Sequence, residues 1–165
     1  MQVADKESVR ASIRRAFANV PQPSRIEDMR FPRYTGDDSY EMAVALLGKR
    51  WTDIPIETLF FHRESLGTLA PVAYRAYLPA YLDAAIASDD PLDKYSADIC
   101  HYLLATMKHW SHQTDPLRGD ETRARLQALD EAQRAAVIDV LRYLSARWHM
   151  EDASEVLREW TSEHS

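Results

Sequence analysis

The one metal-like spacing in the chain is His109-x-x-His112, two imidazoles on neighbouring positions of a helix face that Asp98 or Asp115 would have to complete. Two ligands fall short of the three or four that a zinc site takes from protein, and Leu104 and Trp110 nearby point to packing. His101 precedes His112 by eleven residues, about 16 Å along a helix, so it cannot share their ion. His62-Arg63-Glu64 has the form of the first half of a zinc-deaminase signature, but Cys100 is the single cysteine and the second half is absent. Cys100 and His101 diverge by about 100° on a helix, which suits an inert buried thiol better than a nucleophile with its base. No Gly-x-Ser-x-Gly elbow, Walker loop or Gly-x-Gly-x-x-Gly occurs. The expectation is no catalytic residue, no metal and no cofactor.

Recognition chemistry is better represented. From Pro21 to Asp37 the chain carries Pro23, Pro32, Gly36 and mixed charges with too little periodicity for a regular element. A loop of about 15 residues is uncommon inside a domain and often either straps the surface or binds something. Arg30, Phe31, Arg33 and Tyr34 are therefore interface candidates, the alternative being a packed strap anchored by Phe31. Arg10, Arg14 and Arg15 could hold phosphate, yet with Glu7 beside Arg10 they read as an ordinary solvated helix face.

The most patterned stretch is Leu59 to Ile86. Pro71 suits the first position of a helix, and Tyr74, Tyr77, Leu78, Tyr81, Leu82 and Ala85 then share one arc. Arg75, Pro79 and Asp83 fall on the opposite side, where a kink at Pro79 would leave the freed Arg75 carbonyl to water. Tyrosines at this spacing read as core; the functional alternative is a tyrosine-lined groove with Arg75 as an anion contact at its rim. The stretch Leu69 to Leu82, whose core is an Ala-Tyr-Arg-x-Tyr-Leu-Pro-x-Tyr-Leu run, with its lead-in of Trp51 and Phe60-Phe61 and the later stretch Leu129 to Leu144, resembles a bacterial family of unknown function. The resemblance covers roughly half to two-thirds of the chain, implies no established activity or catalytic residue, and supports the fold more than the function.

The elements that must position these residues are helices. At 165 residues and 45% apolar the chain suits one domain, 1–165, with a core that needs no disulfide or metal, and four glycines with no hairpin turn give strands little support. Helices are expected over Asp5 to Asn19, from Asp38 (capped with Glu41) to Gly48, and from Pro55 to Arg63 with Ile56, Leu59, Phe60 and Phe61 as anchors. Further helices are expected from Pro71, from Pro91 (capped by Asp90) to about Gln113, from Asp130 (boxed with Gln133) to about Arg147, and from Asp152 onward. Thr114 to Thr122 reads as a polar loop. The fold class is all-α, a compact bundle of five to seven helices with one kinked at a proline, and Tyr74, Leu78, Tyr81, Leu103, Val137, Leu141 and Trp148 inside.

The lone cysteine fits a reducing compartment, so the cytoplasm is expected, and no run of 18 apolar residues suggests a membrane span. A net charge of −6 argues against nucleic acid and favours a protein partner with a basic surface. The function expected is a small non-catalytic protein-binding protein, of which an immunity-type protein neutralising a toxin is one form. The alternative is a helical enzyme, metal-dependent if His109, His112 and nearby carboxylates act as ligands.

Overall fold

The computed structural model describes residues 2–108 and 114–162, and over these the chain is all-helical. The α-helices are α1 (Lys6–Ala16), α2 (Asp37–Leu46), α3 (Ile56–Phe61), α4 (Pro71–Ala85), α5 (Lys94–Ala105), α6 (Pro116–Gln127), α7 (Glu131–Trp148) and α8 (Glu151–Ser162). Short 3-10 turns occupy Ile26–Asp28, Trp51–Asp53 and Arg63–Thr68. Eight α-helices among the described residues exceed the five to seven expected. Segment 116–122, expected as loop, is helical: Asp115 caps it by accepting from the Leu117 amide at 3.0 Å, Pro116 takes the first position, and Gly119 sits inside rather than ending it.

The α4 helix is the axis of the molecule. Tyr74, Tyr77 and Tyr81 are fully buried, as are Leu78 and Leu82, while Ala73, Ala76, Ala80 and Ala84 let neighbouring backbones come close. It packs against α1, α3, α5 and α6, and a helix apolar nearly all round must be enclosed in this way. The face expected to meet water is partly covered, with Arg75 and Asp83 both half-buried. Arg75 gives Nε–H to Gln133 Oε1 of α7 at 2.9 Å, and Asp83 takes both forks of Arg10 from α1 at 2.7 and 2.9 Å. Pro79, between them, is buried, and the helix runs unbroken through it. Charges at helical spacing look the same in sequence whether they face solvent or salt-bridge to a covering helix, so spacing alone does not separate the two.

Other boundaries moved by a few residues for identifiable reasons. Asp93, not Asp90, caps α5, accepting from the Tyr95 and Ser96 amides at 3.1 and 3.0 Å, and this leaves Leu92 outside the helix and 85% exposed. Gly36 stands at the cap of α2 and no side chain closes it, so the expected box of Asp38 with Glu41 does not form. Gly48 follows α2 with φ of 78°, the left-handed turn that stops a helix. Of the α3 anchors Leu59 is buried but Phe61 is 72% exposed, and Trp148, expected inside, is half-buried against the core. The capping box at Asp130 forms as expected, with Asp130 Oδ1 accepting from the Gln133 amide at 2.8 Å and Gln133 Oε1 from the Asp130 amide at 3.0 Å.

The long segment between α1 and α2 is a strap, held by Met29 rather than by Phe31. Met29 is fully buried, whereas Phe31 is half-buried. An antiparallel bridge pairs Arg30 with Leu69, with Phe31 N–H donating to Thr68 O at 3.0 Å and Ala70 N–H to Met29 O at 3.1 Å. This short ladder fixes residues 31–34 beside the 63–68 turn. Among the described residues no helix is long and apolar enough to cross a membrane.

Candidate functional site

Beneath the strap lies a cavity of about 310 Å³ between the 63–68 turn, α5 and α6. On α6, Arg118, Glu121, Thr122 and Arg125 recur at intervals of three and four and so present one stripe, and all four line it. The turn contributes Arg63 and Glu64, α5 contributes Tyr102, and Tyr34 closes the space from the strap. Volumes of this order suit a small molecule or a single inserted side chain.

Arg125 forms the floor. It is only 4% exposed, gives one Nη to Gly67 O at 2.7 Å and the other to Thr122 Oγ1 at 3.3 Å, and its buried Nε–H has no partner. Its guanidinium lies 5.5 Å from the centre of the Tyr74 ring and 5.8 Å from that of Phe31. Burial disfavours its charged form, partly offset by Tyr74, Glu121 and Tyr34. Tyr74 in turn shares a 2.9 Å hydrogen bond with Thr106, whose own hydroxyl reaches Leu103 O at 2.7 Å. Burial pushes the Tyr74 phenol above its ordinary range, opposed by Thr106 and by Arg125.

Glu121, 8% exposed, is held from the strap: Arg33 Nε donates to one oxygen and the Tyr34 hydroxyl to the other at 2.7 Å. Arg33 also reaches Tyr34 Oη at 2.8 Å and lies over its ring. Burial and then the hydrogen bond to Glu121 raise the Tyr34 pKa, which keeps the phenol a donor. On the far wall Arg63 gives Nη1–H to Phe60 O at 2.8 Å and packs over the Phe60 ring at 4.0 Å, with its buried Nε 3.5 Å from Asp98 but in no hydrogen bond. The Tyr102 hydroxyl donates to Glu64 at 3.2 Å.

The residues singled out from sequence divide between this site and elsewhere. Tyr34 lines the cavity, while Phe31 and Arg33 touch two of its lining residues, Arg125 and Glu121. Arg30 turns toward α2, donating to Gly36 O at 3.1 Å and Ser39 Oγ at 2.7 Å. Arg75 joins α4 to the start of α7 through Gln133 and Asp130, so the tyrosine-lined groove with Arg75 at its rim does not form. His109 and His112 lie outside the described residues, among which no group of three His, Cys, Asp or Glu gathers for a metal. Cys100 is buried, 3.7 Å from Met150 Sδ, and burial pushes its thiol up to about 12. The sequence reading missed Arg63, Arg118, Glu121 and Arg125. The last three carry a stripe that becomes visible only when Asp115-Pro116 is taken as a helix start instead of a loop.

Fold and site together define an all-helical protein with an arginine-floored polar cavity under a strap. The chain belongs to a family of unknown function, DUF6714, whose model matches residues 5–163. No curated protein and no solved structure matches it.

Proposed function

We propose that this is a small non-catalytic binding protein that receives its partner at the cavity under Tyr34. The observation that carries the reading is Arg125, a buried guanidinium that lines the cavity and hydrogen-bonds only to neutral groups, among side chains already fixed by their neighbours. Groups fixed in this way recognise; they are not arranged as a nucleophile with its base. The net charge of −6 draws a basic partner toward the surface, and a buried anchor in the cavity supplies specificity. Toxin neutralisation by an immunity-type protein is the narrower form of the same proposal.

The test is capture by the immobilised full-length protein from a lysate of its source, followed by reconstitution with the purified candidate. Tyr34→Ala and Arg33→Ala should each weaken the reconstituted complex at least tenfold, about 1.4 kcal/mol. A partner held equally by wild type and both variants would move the interface elsewhere. One metal ion retained per chain, and lost on replacing His109 and His112 by Ala, would transfer the reading to the metal-dependent enzyme.

A further inference from the structure

We propose that the outward face of α2, with Phe61 beside it, docks a basic amphipathic helix of a partner protein. The surface is separate from the cavity under Tyr34, and its assignment does not depend on that cavity being occupied. At 100° per residue Tyr40, Val44, Asp37 and Glu41 fall within an arc of about 100°, and all four are exposed. Tyr40 and Val44, 50% and 53% exposed and one turn apart, form a ridge of the kind that a second helix packs against. Phe61, 72% exposed on α3, extends the apolar surface: its ring meets that of His62 edge-on at 4.9 Å, and His62 lies within the field of Glu41 and Asp38. These are three of the seven large hydrophobic side chains exposed among the described residues, and a single one would need no explanation where a group of three does.

The charge of the face selects its partner. Asp38 and Glu41 are not consumed in a capping box, since Gly36 caps α2 without a side chain, and among the described residues neither they nor Asp37 enter an ion pair. The helix dipole favours Asp37 and Asp38 in the first turn, but it does little for Glu41 in the second and nothing to explain the apolar residues between them. Burial holds the His62 imidazole below its ordinary range against the pull of Glu41 and then Asp38, so it stays neutral at neutral pH and cancels neither. Arg30, 5.5 Å from the centre of the Tyr40 ring, offsets one carboxylate, and Lys49 stands past the far end of the helix. Two of the three carboxylates are left unbalanced. A second copy of this chain would bring like charges together, and nucleic acid would be repelled, whereas lysines and arginines flanking an apolar stripe complement both parts of the surface.

The test uses two amphipathic peptides of one pattern, each about 14 residues long, one of Lys and Leu and the other of Glu and Leu, titrated into the full-length 15N-labelled protein. With the Lys peptide, saturable amide shifts are expected along α2 and at Phe61 and His62, and the affinity should fall about tenfold as salt rises from about 50 to about 200 mM. The Glu peptide should give none. Asp38→Asn with Glu41→Gln, and separately Val44→Ser, should each weaken the Lys peptide about fivefold or more. Glu131→Gln with Glu151→Gln removes the same charge from the first turns of α7 and α8 and should change the affinity less than about twofold. All of these side chains are exposed, so the variants keep the fold, which circular dichroism checks. Shifts scattered over the whole surface, an equal loss with the control pair, or Val44→Ser binding like wild type would overturn the proposal. So would α2 shifts that follow protein concentration alone, which would give the face to a second copy. Tyr34→Ala should leave the titration unaltered; a titration lost with Tyr34 would move the peptide to the cavity and overturn the assignment to α2.

Discussion

Tyr74 and Tyr81 stand two turns apart on α4, equally buried, and their hydroxyls meet different surroundings. Thr106 gives its own proton to Leu103 O, so Tyr74 donates to Thr106 Oγ1, while the Tyr81 hydroxyl has no partner among the described residues. Tyr74→Phe should therefore cost about 1 kcal/mol, whereas Tyr81→Phe should be neutral or stabilising by a few tenths, because it removes a polar atom already cut off from water. Urea midpoints of the two variants check this, and a larger loss at Tyr81 would reveal a partner for its hydroxyl. Burial also pushes Tyr74, Tyr77, Tyr81 and Cys100 upward, the last to about 12. The folded chain thus keeps protons that the unfolded chain releases above about pH 9, and stability that is full below that value is lost as pH rises toward the folded pKa values. Denaturation midpoints should be flat from pH 7 to about pH 8.5 and fall beyond it; midpoints rising through the alkaline range would contradict the burial.

The junction of α4 with α7 shows how one cap serves two helices. Asp130 accepts from the Gln133 amide, Gln133 returns the bond, and Arg75 from α4 donates to both side chains, at 2.9 Å to Gln133 and 3.3 Å to Asp130. Asp130→Ala should lose the cap and one arm of the clamp, about 1–2 kcal/mol, with the Arg75 contact partly screened at its exposed end. Thermal or urea unfolding measures it, and a loss under about 0.3 kcal/mol would show that water replaces the carboxylate freely. In the strap the corresponding device is the two-bond ladder around Arg30 and Leu69, which converts an irregular segment into a fixed wall of the cavity.

Among the described residues the buried apolar side chains form one cluster to which all eight α-helices contribute, α3 through Leu59 and α6 through Leu126. We expect the chain to unfold as one domain, since no subset of helices carries a separate core. Far-UV and near-UV circular dichroism should then follow a single urea transition with the same midpoint, and a split between the two signals would divide the chain into independent units. The cavity under Tyr34 lies where that cluster gives way to polar side chains, between the 63–68 turn and α6. Binding there should leave the helical core intact and act on the elements that line the cavity, the strap, the 63–68 turn, α5 and α6.

By itself the sequence determined that the chain is helical and where its best-capped helix begins. Asp130 with Gln133 and Pro71 at a first turn act through bonds only a few residues long, and the apolar period is visible wherever it repeats. It also placed Tyr74, Leu78, Tyr81, Leu103, Val137 and Leu141 in the interior, because each lies on an apolar stripe too wide to leave in water. Tertiary structure alone decided that Arg75 and Asp83 are clamps to covering helices, and that Pro79 is enclosed. It alone brought Arg33 and Tyr34 to Glu121 across 88 and 87 residues of chain. Ion pairs of that separation leave no periodic trace, since a charged side chain reads the same facing water or facing its partner. The orphaned donor of Arg125 is likewise a fact about what surrounds it, and the residue type carries no sign of it.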